Sequence, residues 1–388
     1  MNARRVLIRV DYNVPLEMGL VQDDFRIMSS LATIRHCIDK GASIVLMSHL
    51  GRPKGVVNPA LSLDPVAFRL EELLDREVMF SDNCISDDAI GLSKQMRPGE
   101  IHLLENLRFH AGEIENDSDF SKALAEHADI YINDAFGTAH RSHASNVGIT
   151  HFMNESCLGF LMEKEYTYLG ERLEDPAKPL TIILGGAKVS DKIELIDNML
   201  HKSQSILIGG AMAFTFLKAQ GHNVGSSFVE ETSLRVAENI LYKAENMDVS
   251  LMLPTDVVAA PQLSRDTSWR IAKIDDLGID EAGYDIGPET TLNFELMLSA
   301  SKTIVWNGPM GVCEIPQFTT GTQAVASLVR NRTEEGATSI IGGGHTASAL
   351  NNSEMRDGFS HISTGGGASL QMMSGKRLPA FDSIHQYA

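Results

Sequence analysis

The chain has little that would tie it to a membrane, to nucleic acid or to an oxidising compartment. No apolar run approaches the roughly 20 residues that cross a bilayer. Basic residues are outnumbered, with 33 Lys and Arg against 51 Asp and Glu, and the net charge of −18 argues against nucleic acid and anionic membranes as partners. Cysteine is scarce: Cys37, Cys84, Cys157 and Cys313 show no Cys-x-x-Cys spacing, so reduced thiols and a cytoplasmic location are expected. The first residues, MNARRVLIRVDYN, enter a strand pattern at once, with no signal-like apolar leader. Two nucleotide fingerprints are also missing: there is no P-loop Gly-x-x-x-x-Gly-Lys-Ser/Thr, and no Gly-x-Gly-x-x-Gly with a following acidic residue.

What is present is a β-then-α rhythm. Short apolar runs at Val6–Val10, Ser43–Met47, Ile101–Leu104 and Ile130–Ile132 alternate with helical patterns at Arg26–Lys40, Asp64–Leu74 and Asp119–His127, and the rhythm resumes from Leu180 to about Gly366. That alternation predicts an α/β protein with parallel sheets covered by helices. A chain of 388 residues is long for one core and predicts two domains. Asn154–Leu173 reads as the helical connector, closed by Asp175-Pro176.

The two halves end their strands differently. In the second, apolar runs stop on glycines before a helix: Thr181-IILGGAKVSDKI, Ser205-ILIGGAMAFTF, Ser339-IIGGGHTASAL and His361-ISTGGGASL. Such turns expose backbone N–H groups at a helix start and suit phosphate. In the first half the runs end on charged and polar residues, which suit a small anion. Asp11 and Asn13, two apart, share one face at a strand's carboxyl end, where ligands of open α/β sheets bind. Arg26 opens the next helix, where a cation opposes the dipole and is best tolerated beside an anion. His49 and Arg52 sit in the turn SHLGRPKG, Arg108 follows HLLEN, and Arg141 lies in NDAFGTAHRSHAS. His140 and His143 have a metal-compatible spacing but no partner in register, and read as structural or anion-contacting. In the second half, Lys188 and Lys192 are spaced i, i+4 at a helix start after Gly185-Gly186, an unfavourable placement unless a phosphate binds there. TIVWNGPMGVCE adds Asn307 and Glu314, the latter an acceptor for ribose hydroxyls.

RVDYNVP, SHLGRPKG, LLENLRFHAGE, NDAFGTAHR, GFLMEKE, LGGAKVSDKI, IGGAMAFTFLKAQG, DIGPET, TIVWNGPMGV and HISTGGGASL follow one another as in phosphoglycerate kinases, which the chain resembles from about Arg5 to about Pro379. The resemblance implies two doubly wound, Rossmann-like parallel-sheet domains joined by a helix and hinge. Residues 1–155 would bind 3-phosphoglycerate, 156–173 form the interdomain helix, 174–371 bind nucleotide, and the tail 372–388 pack back on the first domain. It implies that Asp11, Asn13, Arg26, His49, Leu50, Gly51, Arg52, Arg108 and Arg141 hold 3-phosphoglycerate or 1,3-bisphosphoglycerate. Lys188, Lys192, Gly209, Gly210, Asn307, Pro309, Glu314, Gly342, Gly343, Gly344, His345 and Thr346 would hold ADP or ATP with Mg2+, and Arg26, Lys188, Gly344, Gly366 and Gly367 would face the transferred group. A monomer is implied. The activity implied is reversible transfer of an acyl phosphate's phosphoryl group to Mg-ADP, in glycolysis or gluconeogenesis. Two positions depart from the family pattern. Cys313 stands where an aromatic is usual, and His345 stands where an aspartate usually serves the nucleotide's magnesium. His345 keeps open a second reading, a binding protein on the same fold with reduced turnover. A nicotinamide-dependent dehydrogenase fails for want of the dinucleotide fingerprint.

Overall fold

The computed structural model describes residues 1–350 and 358–384, the side chains of His345 and Ser348 excepted. The chain divides into two compact units, one of Met1–Thr167 with the tail from Arg377, the other Tyr168–Lys376. The first unit is built on six parallel strands in the order Val78–Ser81, Ile101–Leu104, Ser43–Met47, Arg5–Val10, Ile130–Asp134, Ser156–Leu158. The central strands are covered on both faces, which is why they read as largely apolar runs. Val6, Ile8 and Val10 face Ile27 and Ile34 of the helix Phe25–Asp39, while Leu7 packs with Val45, Met47 and Tyr131 on the other side. From Arg5–Val10 the chain winds first to one side and returns on the other at Ile130–Asp134. The carboxyl ends of those two strands therefore flank the point where the winding reverses, the usual ligand crevice of such sheets. At the tail, Ala380 N–H donates to Ala139 O at 3.1 Å and Phe381 packs on Phe136.

The second unit repeats the plan with strands ordered Ser250–Met252, Ser205–Ile208, Leu180–Leu184, Thr303–Asn307, Thr338–Gly342, His361–Ile362, all parallel. Its winding reverses between Leu180–Leu184 and Thr303–Asn307.

Two local expectations need correction. The stretch Asn154–Leu173 does not run as one helix: Ser156–Leu158 pairs with Ile130–Asp134 as an edge strand, and the helix starts at Phe160. Asp134 sets that start, because its carboxylate accepts from Leu161 N–H at 3.0 Å and Met162 N–H at 3.3 Å. The β-α rhythm of the second half is also interrupted by a three-stranded antiparallel sheet, Arg270–Lys273, Asp256–Ala260 and Ala282–Ile286. Its outer strand Arg270–Lys273 is mostly exposed, so it carries none of the apolar signal by which the parallel strands are read.

Two buried histidines in the first unit make a pH-sensitive brace. His127 Nε2 lies 3.0 Å from Cys84 O and must donate to it, so its Nδ1 accepts from Ser93 Oγ at 2.7 Å. With its proton so used, Ser93 Oγ accepts from His102 Nδ1 at 2.9 Å, and His102 Nε2 accepts from Ser81 Oγ at 2.7 Å. Burial pushes both imidazoles down to about 4, with the neighbouring histidine adding to the effect on His102. A histidine with a depressed folded-state value binds its proton first in the unfolded chain. Its contribution is present near neutrality and is lost as pH falls from about 6.5 toward about 4, by on the order of 3 kcal/mol per group. Asp134 and Asp285, pushed up to about 7 by burial, act in the opposite sense. The expected result is therefore a difference: in urea unfolding, the stability advantage of the natural protein over His127→Gln shrinks between pH 6.5 and pH 4. A constant advantage would show that His127 titrates normally.

Candidate functional site

In the first unit, cations gather at the carboxyl ends of the strands. Asp11 and Asn13 lie in the loop just past Arg5–Val10, not on the strand itself. Asp11 is buried and receives Arg26 Nη1 at 3.1 Å; the same nitrogen donates to Asn13 O at 3.1 Å. Arg26 thus sits at the start of its helix beside a carboxylate, which offsets the unfavourable dipole. Asn13 Oδ1 accepts from Gly51 N–H at 2.9 Å and Arg108 Nη1 donates to Gly51 O at 2.7 Å, so the turn holding Leu50, Gly51 and Arg52 is pinned from both sides. Leu50 is further tied by Asn106, whose side chain accepts from its N–H and donates to its carbonyl.

His49 is the centre of this field. Burial and the charges of Arg9, Arg108, Arg26 and Arg141 hold it well below the usual imidazole range. Its Nδ1 faces Arg9 Nη2 at 3.3 Å, a donor, so the ring is neutral with Nδ1 accepting and Nε2 carrying the proton. The 3.8 Å approach of Nδ1 to Asp11 is accordingly no ion pair. Arg108 is 3 % exposed, yet its Nε and Nη2 have no hydrogen-bond partner among the described residues, and burial, Arg141 and Arg9 push its guanidinium down to about 10. Arg141, likewise held low by burial and by Arg52, donates from Nε to His140 at 3.2 Å. His140 and His143 have no third His, Cys, Asp or Glu to complete a metal cage among the described residues. Mutually repelling, partly unpaired guanidiniums in a strongly acidic protein suit a compact anion.

Sequence reasoning missed Arg9. It lies inside the apolar strand, fully buried, with Nε donating to Ser145 Oγ at 2.8 Å and Glu113 3.9 Å away. Burial pushes the Glu113 carboxyl up, but His143, Arg9 and Ser145 together hold it below its ordinary value, so it stays ionised beneath the cluster. The signal was a charge two residues before Asp11 in an otherwise apolar run.

In the second unit a cavity of about 880 Å³ opens where the winding reverses. Gly185, Gly186, Ala187, Lys188 and Lys192 line one side, Asn307 to Pro309 the floor, Gly343, Gly344, Thr346 and Gly366 another side, and Cys313, Glu314, Thr319, Thr322 and Gln323 the remaining wall. Lys188 and Lys192 both reach it, but not from a helix: Lys188 precedes a short 3-10 turn, Ser190–Lys192, and the α-helix begins at Ile193. The turn is fixed by Glu230, which accepts from Ser190 N–H and Oγ and displaces the helix start. Lys192 is buried, its ammonium pushed down to about 8 by burial, and it donates to Asn307 Oδ1. That bond aims the Asn307 amide, whose buried Nδ2 has no partner among the described residues. The close approach of the floor to Gly185 requires glycine at 308, where φ is +98° and a Cβ would stand 2.3 Å from Gly185 O. Thr346 Oγ1 accepts from Gly308 N–H at 2.8 Å and donates to Gly342 O at 3.0 Å, locking floor to glycine turn.

Gly209, Gly210, Gly342 and Gly367 do not line the cavity. Gly210 packs behind Gly186, where a Cβ would meet Gly186 N at 2.5 Å, and Gly342 backs onto Met373 and Asn307. Gly367 opens the helix Gly367–Met373. His345 lies in the helix Gly344–Ala349, and its side chain is outside the described residues. Thr319, Thr322, Gln323 and Asp191 were not foreseen; the only trace of the first three was a Thr-Thr-Gly-Thr-Gln run at the start of a helix.

Arginines clustered at the strand ends of one parallel sheet and a glycine- and lysine-lined cavity on another are the parts an α/β phosphotransferase needs. Comparison with known proteins agrees: the phosphoglycerate kinase family model matches residues 1–376. A phosphoglycerate kinase of Chlorobium luteolum is 49% identical over 386 residues, covering 99% of this chain and 97% of that protein, and one of Finegoldia magna is 50% identical over 386 residues, covering 99% and 96%. Among solved structures, phosphoglycerate kinase from Coxiella burnetii superposes with a TM-score of 0.86 at 40% identity, covering 99% of this chain and 97% of that one. The enzyme from Pyrococcus horikoshii OT3 gives 0.87 at 31%, covering 99% and 96%. The chain belongs to the phosphoglycerate kinase family and is a kinase, and nothing in these relationships favours a binding protein without turnover. Among the described residues no helix is long and apolar enough to cross a membrane.

Proposed function

We propose that the first unit's cation cluster holds 3-phosphoglycerate or 1,3-bisphosphoglycerate and that the cavity of the second holds ADP or ATP, the chain working as a cytoplasmic monomer. The observation that carries this reading is Arg108: a buried guanidinium with two unpaired nitrogens, set among Arg9, Arg26 and Arg141 around a neutral His49. Arg52, Arg108 and Arg141 are assigned to the substrate's phosphate and carboxylate, with Asp11, Asn13, Leu50 and Gly51 shaping the receptor. His49 Nε2–H is a further donor. In the cavity, Lys188 and the N–H groups of Gly343, Gly344 and Gly366 take the nucleotide's phosphates, Asn307 Nδ2 adds a donor, and Glu314 accepts from the ribose.

The acceptor for the reverse reaction is a carboxylate, already ionised, so the reaction needs no general base. Rate then rests on positioning and on cations that follow the charge of a loose transition state. Arg26 and Lys188 are assigned to the moving phosphoryl group. Because the two ligands bind different units, the reading includes a hinge motion about the helical segment 160–173 that brings them together and keeps water from the acyl phosphate. An assay with ATP, 3-phosphoglycerate and magnesium, coupled to reduction of the acyl phosphate formed, tests the whole; no turnover at saturating substrates would overturn it.

Magnesium enters the cavity as part of the nucleotide substrate. The acidic residues lining the cavity are Asp191 and Glu314, and the described residues form no cage of three His, Cys, Asp or Glu. Asp191, on the side of Lys188 and Lys192, is the carboxylate that fits an ion held chiefly by phosphate oxygens and water, Glu314 being assigned to the ribose. With histidine at 345 in place of the family's aspartate, the natural protein is expected to need more free Mg2+ for half-maximal rate than its His345→Asp variant. Magnesium titrations at fixed nucleotide check this, and superimposable curves would remove position 345 from metal handling.

A further inference from the structure

The motif Asp285-Ile286-Gly287-Pro288-Glu289-Thr290 recurs in the family pattern, yet none of its residues lines the cavity. Its first residue is a buried carboxylate, 3 % exposed, on the strand Ala282–Ile286. Asp285 Oδ2 accepts from Gly321 N–H at 2.7 Å, in the first turn of the helix Thr320–Glu334, and Oδ1 accepts from Ile286 N–H at 2.9 Å. The carboxylate is wedged between two glycines. A Cβ at Gly311 would come within 2.4 Å of its Cγ, and a Cβ at Gly321 within 2.4 Å of its Oδ1. Gly311 belongs to the loop that carries Pro309, Cys313 and Glu314; Gly321 stands between Thr319 and the pair Thr322 and Gln323. All six of those residues line the cavity.

Other bonds at the same junction tie the loop to the helix. Thr322 Oγ1 accepts from Met310 N–H at 2.9 Å and Gly311 N–H at 3.3 Å, and Val312 N–H donates to Tyr284 O at 3.0 Å. Every one of these bonds is local to one wall. That wall is the one without lysines and without glycine-turn N–H groups, so it is the nucleoside end of the cavity.

We propose that Asp285 is a positioning residue for the nucleoside end of the nucleotide site, holding the 309–314 loop and the start of the 320–334 helix in register through its bond to Gly321 and its seat between two glycines. The inference rests on the reading of this cavity as a nucleotide site. An ionised carboxylate accepts from both N–H groups; a neutral one gives up acceptor capacity and must place a proton between two glycine backbones. Burial pushes this carboxyl up to about 7, so the wall is sensitive to pH in the range where the enzyme is assayed. Around it, the loop contributes Cys313, whose thiol burial pushes up, and Glu314; its own strand contributes Tyr284, also raised by burial. The helix start presents only Thr319, Gly321 and Thr322, and the neighbouring strand Asp256–Ala260 sets Val258 opposite it.

Asp285→Asn keeps the shape but lacks the second acceptor. At pH 8 the expected result is a KM for ADP raised about tenfold, with kcat at saturating ADP and the KM for the phosphoglycerate unchanged. The ratio of variant to natural KM falls toward one as pH drops from 8 to 6, because the natural carboxyl becomes neutral; titration of ADP itself cancels in that ratio. Binding of inorganic pyrophosphate is the same in both proteins, while adenosine binds more weakly to the variant. A ratio that stays constant with pH, or equal loss for pyrophosphate, overturns the proposal and leaves Asp285 a general structural residue. If Asp285→Asn does not fold, Gly321→Ala, which crowds the carboxylate without removing it, is expected to raise the KM for ADP in the same way, and an unchanged KM there overturns the proposal. Failure of the natural protein to bind ADP at all defeats the nucleotide reading instead, so the two failures are distinguishable.

Discussion

Arg26→Ala lowers kcat by about 100- to 1000-fold while moving either KM only a few-fold. In the unliganded protein this guanidinium is held by Asp11 at 3.1 Å and by Asn13 O at 3.1 Å, and its side chain remains a quarter exposed. It is therefore oriented but not used up: donors remain for a group arriving at the strand ends. A cation that meets charge only as the phosphoryl group moves contributes to the transition state and little to ground-state binding. Steady-state kinetics with both substrates varied decides the matter. A variant with raised KM and normal kcat would make Arg26 a simple substrate contact and would falsify its assignment to the moving group.

The next largest effect concerns affinity. Arg141→Ala and Arg52→Ala each weaken 3-phosphoglycerate by about 10- to 150-fold, the loss of a charge-assisted contact, and leave ADP binding as it was. These arginines also repel: Arg141 is held low partly by Arg52, and Arg108 by Arg141. Removing Arg141 is thus expected to leave the unliganded protein as stable as before or slightly more so, while the rise in Tm on adding 3-phosphoglycerate shrinks. Calorimetric titration with each ligand and a melting curve with and without 3-phosphoglycerate read both effects. Equal weakening of ADP would contradict the division of labour between the units.

The parallel sheets were legible because a strand buried on both faces is mostly apolar, and Ser43–Met47 and Ile101–Leu104 were readable to the residue. Strands with one open face were not. Ser156–Leu158 is half-buried along its whole length and merges with the helical pattern that follows it, and Arg270–Lys273 buries a single residue and does not differ in pattern from a loop. Most of the candidate site was readable for a related reason. Arginines at strand ends and glycine pairs before helices are costly unless something binds, and they stand out against their surroundings. Arg9 did not, because Glu113 and Ser145, more than 100 positions away in sequence, satisfy it inside the sheet. Nor did the wall formed by Thr319, Thr322 and Gln323, whose proximity to Pro309 and Cys313 depends on a buried carboxylate on a third segment. Lys188 and Lys192 both line the cavity, but not as neighbours on one helix face, since Glu230 holds the chain out of the helix there.

The central claim is that each unit holds its own substrate, phosphoglycerate at the arginine cluster and nucleotide in the glycine-lined cavity. Amide hydrogen exchange on the natural protein, with 3-phosphoglycerate alone and then with Mg-ADP alone, tests it most directly. The account predicts that 3-phosphoglycerate slows exchange around Asn13, Gly51, Arg108 and Arg141, and that Mg-ADP slows it around Gly186, Lys188, Gly343 and Thr322. Protection of the same unit by both ligands, or of the cavity by 3-phosphoglycerate and the arginine cluster by Mg-ADP, would contradict it.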